Sequence, residues 1–372
     1  MLLRFRRMRD TRYLSGLTPL RGIAAWWVVI FHYEATFGLL LPPRSSMLLR
    51  NGYLMVDLFF MLSGFVMQHS YGAQFREGLQ RQALLRFAQA RFARIYPLHL
   101  ATLLVLVVWQ AAQWLRSPEL AFQGDFLPAG IPGNLLLVQA LGVYSRLTWN
   151  YPAWSISAEW YVYGVFPVLA WGFARLPLRW RLLLAGAAVL AGYVLLAGQH
   201  PEGVLDLSYR LGFWRALAGF GAGMLIYAGY AAGLGAGWLR RDWSLGAAAG
   251  SLLVLLHLDV PDAAVMPGFA WLVWSAAANE GRLGRWLGGR GWQWLGDLSY
   301  SVYMWQYPWA LALMGLGLLE FASPDLAAGT ADGSWPGLLG FAGGLLLLSQ
   351  LSYRYLELPL RNWLKPKGLK RD

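Results

Sequence analysis

The chain has 372 residues, 57% of them hydrophobic and only 13% charged, with 21 tryptophans and a formal net charge of +12. A soluble domain carries about 25% charged residues, so this composition is that of a multi-pass membrane protein with little left for a separate soluble domain. The chain contains no cysteine, which excludes disulfides, thiolate metal sites, a cysteine nucleophile and S-acylation.

The N-terminus, MLLRFRRMRDTRY, is basic and leads into a long apolar run with no small-residue cleavage site after it. It predicts a retained first helix, not a removed signal peptide. A spanning helix needs about 20 mainly apolar residues. The sequence predicts ten such helices, over 17–40, 52–71, 95–114, 155–174, 181–198, 211–231, 244–258, 263–279, 295–319 and 336–356. The segments 244–258 and 263–279 are short for a span. Residues 133–143 (GNLLLVQALGV) are apolar but too short to cross, which predicts a re-entrant or interfacial helix inside the long connection 115–154,. With the N-terminus in the cytoplasm, 24 of the 31 lysines and arginines fall on cytoplasmic pieces, while Glu119, Asp125, Glu202, Asp206, Asp259, Asp262, Asp325 and Asp332 fall outside. This positive-inside pattern accounts for the net charge without nucleic acid and puts both termini in the cytoplasm. The expected fold class is an all-α integral membrane protein of about ten helices, forming one domain over 1–372 with no fused soluble domain.

The first span opens RGIAAWWVVIFH. Arg21 and His32 are eleven residues apart, about three turns plus 20°, so they share a helix face about 16 Å apart along the axis. Ionisable groups inside a span suggest function, although a snorkelling arginine and an interhelical histidine bond would also explain them. A coenzyme A thioester has the matching layout, with phosphates at one end and a reactive carbonyl at the other. The second span, in GYLMVDLFFMLSGF, carries Asp57, and the fourth, opening WSISAEWYVY, carries Glu159. Counted from the span edges, His32, Asp57 and Glu159 fall within about 6–12 Å of the outer surface. Either carboxylate could orient the histidine and support its protonated form. At the start of the third span, RFARIYPLH puts Arg91 and Arg94 on one face, as membrane anchors or as a phosphate clamp near Arg21. TWNYPAW (148–154) fits an interfacial aromatic belt or a sugar-stacking surface. His257 and Asp262 are taken as a chance spacing, Glu357 as an ion-pair partner of Arg354, and His69, His99 and His200 have no paired acid. There is no P-loop, metal-ligand cluster or Gly-rich dinucleotide turn.

Six of these segments, in order, resemble acyltransferase family 3, membrane proteins that move acyl groups onto carbohydrates and other acceptors. Arg21 and His32 match the family's Arg-x10-His signature. GYLMVDLFFMLSGF, RFARIYPLH, WSISAEWYVY, LSYSVYMWQYP (298–308) and LSYRYLELPLR (351–361) match its later elements over nearly the whole chain. The late element commonly carries histidine where this chain has Gln306, so no second catalytic histidine is assigned. The resemblance implies a multi-pass protein of a bacterial cytoplasmic (inner) membrane, with the lipid bilayer, acyl-CoA and a carbohydrate or other hydroxyl acceptor as partners. Acyl-CoA, by family habit acetyl-CoA, is the donor substrate, and no bound cofactor or metal is implied. Its phosphates would lie toward Arg21, Arg91 and Arg94. His32 would act as general base or transient acyl carrier beside Asp57 and Glu159. Ser63, Trp154, Ser155, Tyr303 and Gln306 would orient the acceptor or steady the oxyanion. The alternatives are a transporter or flippase, since buried charges occur there too, and a non-catalytic subunit of a polysaccharide export system.

Overall fold

The computed structural model describes residues 14–41, 47–199, 205, 207–258, 260–320 and 334–366. The basic N-terminal run, His200, Glu202, Asp206, Asp259, Asp325 and Asp332 lie outside the described residues.

Every regular element among the described residues is helical. Ten long helices form where the sequence has its ten apolar segments: α1 (Leu17–Phe37), α2 (Met55–Tyr71), α3 (Arg81–Arg116), α4 (Ala153–Arg175), α5 (Leu178–Ala197), α6 (Gly212–Ala231), α7 (Asp242–His257), α8 (Asp262–Ala278), α9 (Ser299–Gly315) and α10 (Trp335–Leu364). Three of them, α3, α5 and α10, are long and apolar enough to cross a membrane by length and composition. The others fall short for two physical reasons. Helices α2, α7, α8 and α9 have 16 or 17 residues, about 25 Å of rise against a hydrocarbon core of about 30 Å. Helices α1, α4 and α6 dilute their apolar runs with arginine, histidine, glutamate, tryptophan or glycine.

Small residues bring the central helices together. A Cβ on Gly64 of α2 would strike the Phe220 carbonyl of α6, and one on Gly223 of α6 would strike the Met61 carbonyl of α2. Gly219 and Gly223 are four residues apart, the spacing that lets two helix backbones meet closely where lipid supplies no hydrophobic drive. Around this contact, Met61, Phe65 and Phe220 are buried with Val28 of α1. Helix α1 packs on α2, on α9 and on a short helix, Arg290–Asp297, against which Gly22 and Gly296 allow close approach. Of the three helices long and apolar enough to cross a membrane, α5 is the least buried, with 11% of its apolar window covered.

The connection 117–152 folds back into the bundle instead of running over it. Its helical part is shorter than the sequence suggested, one turn and a half at Ile131–Leu135 followed by turns. The chain then reaches α3 and α4, where Tyr96 donates to the Leu135 carbonyl (3.0 Å), Tyr161 to that of Leu136 (3.3 Å) and His99 Nε2 to that of Asn134 (2.8 Å). Buried Asn134 and Asn150 cross-brace the segment. Asn134 donates to Gly130 O and Thr148 Oγ1, and Asn150 donates to Thr102 Oγ1 of α3 and to the Met304 carbonyl of α9. These bonds use the amide donors, while Asn134 Oδ1, Asn150 Oδ1 and His99 Nδ1 are buried with no hydrogen-bond partner among the described residues.

Candidate active site

Helix α1 carries Arg21 near its N-terminal end and His32 in its C-terminal half. The basic ends of α2, α3, α4 and α10 gather at the first level, called here the arginine end. The 117–152 connection reaches the second through Asn150 and Tyr151.

At the histidine level, His32 Nδ1 lies 3.0 Å from Gln306 Oε1 of α9. Gln306 Nε2 in turn donates to the Tyr303 carbonyl at 2.8 Å, one turn back on the same helix. That second bond fixes which way the amide faces, because the reversed amide would set two carbonyl oxygens against each other. Oε1 therefore accepts from an Nδ1–H, and the lone pair of His32 is on Nε2. The ring is half-buried and meets Tyr151 edge-on, with centroids 5.6 Å apart.

Tyr151 is held there by a strained turn. Trp149 is 1% exposed and has φ 58°, a left-handed conformation that costs a non-glycine residue about 1–3 kcal/mol,. Its backbone N–H on the Asp125 carbonyl (2.9 Å) and its indole N–H on the Leu127 carbonyl (3.1 Å) offset the strain. Ser155 Oγ then donates to the Tyr303 hydroxyl (2.8 Å), which donates to the Pro152 carbonyl (3.1 Å), tying the turn to α9. Of the aromatic run 148–154, Trp149 and Trp154 are buried, and Tyr151 is 41% exposed.

The common level expected for His32, Asp57 and Glu159 does not become one cluster. Counting residues from predicted span edges ignores the relative shift and tilt of each helix. Asp57 is fully buried against Arg215 of α6, which donates from Nη2 at 2.7 Å and from Nε at 3.2 Å, and also holds the Tyr53 carbonyl at 3.1 Å. Trp154 covers this pair, with its ring 5.4 Å from the Arg215 guanidinium carbon. Trp154 also meets the Phe60 ring edge-on, with centroids 6.3 Å apart. Glu159 accepts from Ser63 Oγ of α2 (2.6 Å) and from the Tyr163 hydroxyl one turn on. Together with Tyr163 it lies within electrostatic reach of Arg21.

At the arginine end, Arg91 donates to the Tyr71 hydroxyl (2.7 Å) and lies over the Tyr71 and Tyr163 rings. Arg94 lies 3.9 Å from Glu357 and over the Tyr300 ring. Glu357 also accepts from Ser301, so its partners are on α3 and α9, and the expected pair with Arg354 gives way to an Arg354 contact with the Tyr355 ring. Arg21 makes no hydrogen bond or ion pair with the described residues. It sits among the charges of Arg94, Glu159 and Asp297 as an available five-donor cation,.

Arg215, in α6, is a charged residue that the motif resemblance does not single out. An arginine and an aspartate in two membrane segments were the available signal, since intramembrane charges pair with one another.

The sequence matches the acyltransferase domain family over residues 14–354. Similar proteins include Protein 2 in picA locus of Rhizobium radiobacter, 36% identical over 192 residues, which is 47% of this chain and 90% of that protein. Acyltransferase MdmB of Streptomyces mycarofaciens is 31% identical over 188 residues, 49% of this chain and 45% of that protein. O-acetyltransferase OatA of Staphylococcus aureus (strain NCTC 8325 / PS 47) is 30% identical over 120 residues, 32% of this chain and 17% of that protein. The alignments thus span less than half of those last two proteins. No solved structure matches the chain significantly.

Proposed function

The chain belongs to the acyltransferase domain family, and from that premise we propose that it is a membrane O-acyltransferase moving an acyl group, acetyl by preference, from acyl-CoA to a hydroxyl of a cell-surface or exported carbohydrate. The bundle crosses a bacterial inner membrane ten times, with both termini and the arginine end in the cytoplasm. The observation that carries the reading is on α1, where an arginine that makes no bond to the described residues and a histidine whose Nδ1 faces Gln306 Oε1 share one helix face about 16 Å apart,.

In this mechanism the CoA phosphates bind Arg21, with Arg91 and Arg94 reinforcing the positive field. Glu159, held by Ser63 and Tyr163, orients Arg21 without neutralising the cluster. The pantetheine arm runs along α1 and sets the thioester carbonyl beside His32. The acceptor arrives from the opposite side past Tyr151, whose exposed ring can stack on a sugar face. His32 Nε2 takes the proton of the acceptor hydroxyl as that oxygen bonds to the carbonyl carbon. The C–S bond then breaks, and the imidazolium returns the proton to the departing thiolate. Gln306 acts as a positioning residue, because accepting the Nδ1–H keeps the lone pair on Nε2. Asp57 acts at a distance, through Arg215, by fixing α2 on α6.

The test is release of CoA and transfer of label from radiolabelled acetyl-CoA by purified protein in detergent. The reading requires that wild type releases CoA, that folded His32→Ala does not, and that Arg21→Ala needs more donor. Labelled protein that is trapped at neutral pH, loses its acetyl to acid or hydroxylamine, and does not form in His32→Ala would move His32 from general base to acyl carrier. Transport of a glycan with no ester formed would replace the enzyme reading with that of a transporter.

A further inference from the structure

A second cavity lies at the arginine end, away from α1. It occupies about 270 Å³ among the ends of α2, α4, α5 and α6, with a recess of about 70 Å³ beside it. Its polar wall is Gln68 of α2, Arg76 from the turn after it, Arg181 of α5 and Tyr227 of α6, and His69 lines the recess. Phe173, Leu178, Ala228 and Ala231 line the other side. No carboxylate lines it.

The polar wall is rich in unused donors. Arg181 spends Nε on the Leu176 carbonyl (2.6 Å) and Nη2 on the Ala174 carbonyl (3.1 Å), capping the end of α4, which leaves Nη1 available. Arg76 is exposed, makes no side-chain bond to a described residue, and lies within electrostatic reach of both Arg181 and Tyr227. The Tyr227 hydroxyl and the buried His69 Nδ1 have no partner among the described residues. Two guanidiniums facing one cavity repel each other unless an anion lies between them.

Three features identify the anion. The volume is below the roughly 300–1,000 Å³ of small-molecule pockets, so a whole coenzyme does not fit. The cavity shares no residue with the Arg21, Arg91 and Arg94 cluster, and buried Phe75, Phe87 and Phe166 fill the core beside Tyr71. It sits at the foot of α5, whose apolar window is only 11% buried, a surface that faces the bilayer on the membrane-spanning reading. We propose that this cavity binds the phosphate of an anionic phospholipid, with Arg76, Arg181 and Tyr227 on the headgroup and the apolar wall on the first carbons of its chains. Basic pockets between helices at the cytoplasmic level suit this chemistry. The bound lipid pins the peripheral α5 against α4 and α6. The proposal rests on the membrane-spanning reading and is independent of acyl transfer.

Native mass spectrometry of the delipidated full chain, titrated with phosphatidylglycerol or phosphatidylcholine, tests it. One phosphatidylglycerol should be retained at about tenfold lower concentration than phosphatidylcholine, and Arg76→Gln should weaken its retention about fivefold, the share of one basic residue. Tyr227→Phe removes one donor at constant charge and should weaken retention by less. Arg241→Gln, an exposed arginine elsewhere at the same end, should change nothing. Equal retention of the two lipids overturns the proposal. So does equal loss in Arg76→Gln and Arg241→Gln. Displacement of phosphatidylglycerol by millimolar inorganic phosphate would make this a site for free phosphate and overturn the lipid assignment.

Discussion

Two sets of buried ionisable groups cross this bundle, and they are completed to different degrees. Between α2 and α6, Asp57 and Arg215 are both fully buried, and both carboxylate oxygens take guanidinium hydrogens. Along α1, Arg21 makes no bond to the described residues, and His32 is half-buried with its Nδ1 directed to Gln306. The residue types alone would mark both sets as functional. The partners separate them. A charge closed off by its counter-charge holds helices together, because losing one partner strands the other in a low-dielectric core. On the acyltransferase reading, the Arg21 cation, which makes no bond to the described residues, and the half-buried His32 ring at two heights of one helix are the groups that meet the donor.

Mutations can sharpen or break this contrast. The largest effect is expected at His32, where His32→Ala should lower acyl transfer by about 10²–10⁴ and leave the unfolding temperature in detergent unchanged. Asp57→Ala should do the reverse, costing about 3–5 kcal/mol of stability by leaving Arg215 uncompensated. The joint change Asp57→Leu with Arg215→Met should recover most of that loss in the same thermal scan. If Asp57→Ala keeps its stability and loses transfer, the division of roles fails. Arg21→Gln should raise the KM for acetyl-CoA about ten- to hundredfold while kcat is kept, as loss of charge-assisted bonds to a bound anion requires. The smallest effect is at Gln306, where Gln306→Leu should lower kcat about tenfold, the worth of one hydrogen bond, with the KM for acetyl-CoA unchanged. Gln306→His can again accept at Nδ1 of His32 and should restore the rate. A fall in Gln306→Leu that appears in KM instead would assign Gln306 to ligand contact.

The ten helices were legible because each is a local apolar run, and α7 and α8 form despite being short, closed by Ser244 Oγ against Ser275 Oγ at 2.9 Å. The Arg21–His32 face was legible because helical spacing is fixed by geometry. The partners were not. Asp57 finds Arg215 158 positions on, and His32 finds Gln306 274 positions on. Such pairings depend on how helices slide against one another, which Gly64, Gly219 and Gly223 decide through backbone contact and residue counting cannot supply. Glutamine in place of the family's histidine reads in sequence as a lost proton acceptor. In the fold its amide is aligned by the Tyr303 carbonyl, which sets Oε1 3.0 Å from His32 Nδ1.

The most direct test of the division along α1 is equilibrium binding of labelled acetyl-CoA, measured beside turnover on the same purified samples of His32→Gln and Arg21→Gln. The account predicts that His32→Gln binds acetyl-CoA as wild type does and transfers nothing, while Arg21→Gln binds about ten- to hundredfold more weakly and, at saturating donor, transfers at the wild-type rate. Full transfer by His32→Gln, or unchanged affinity in Arg21→Gln, would contradict it.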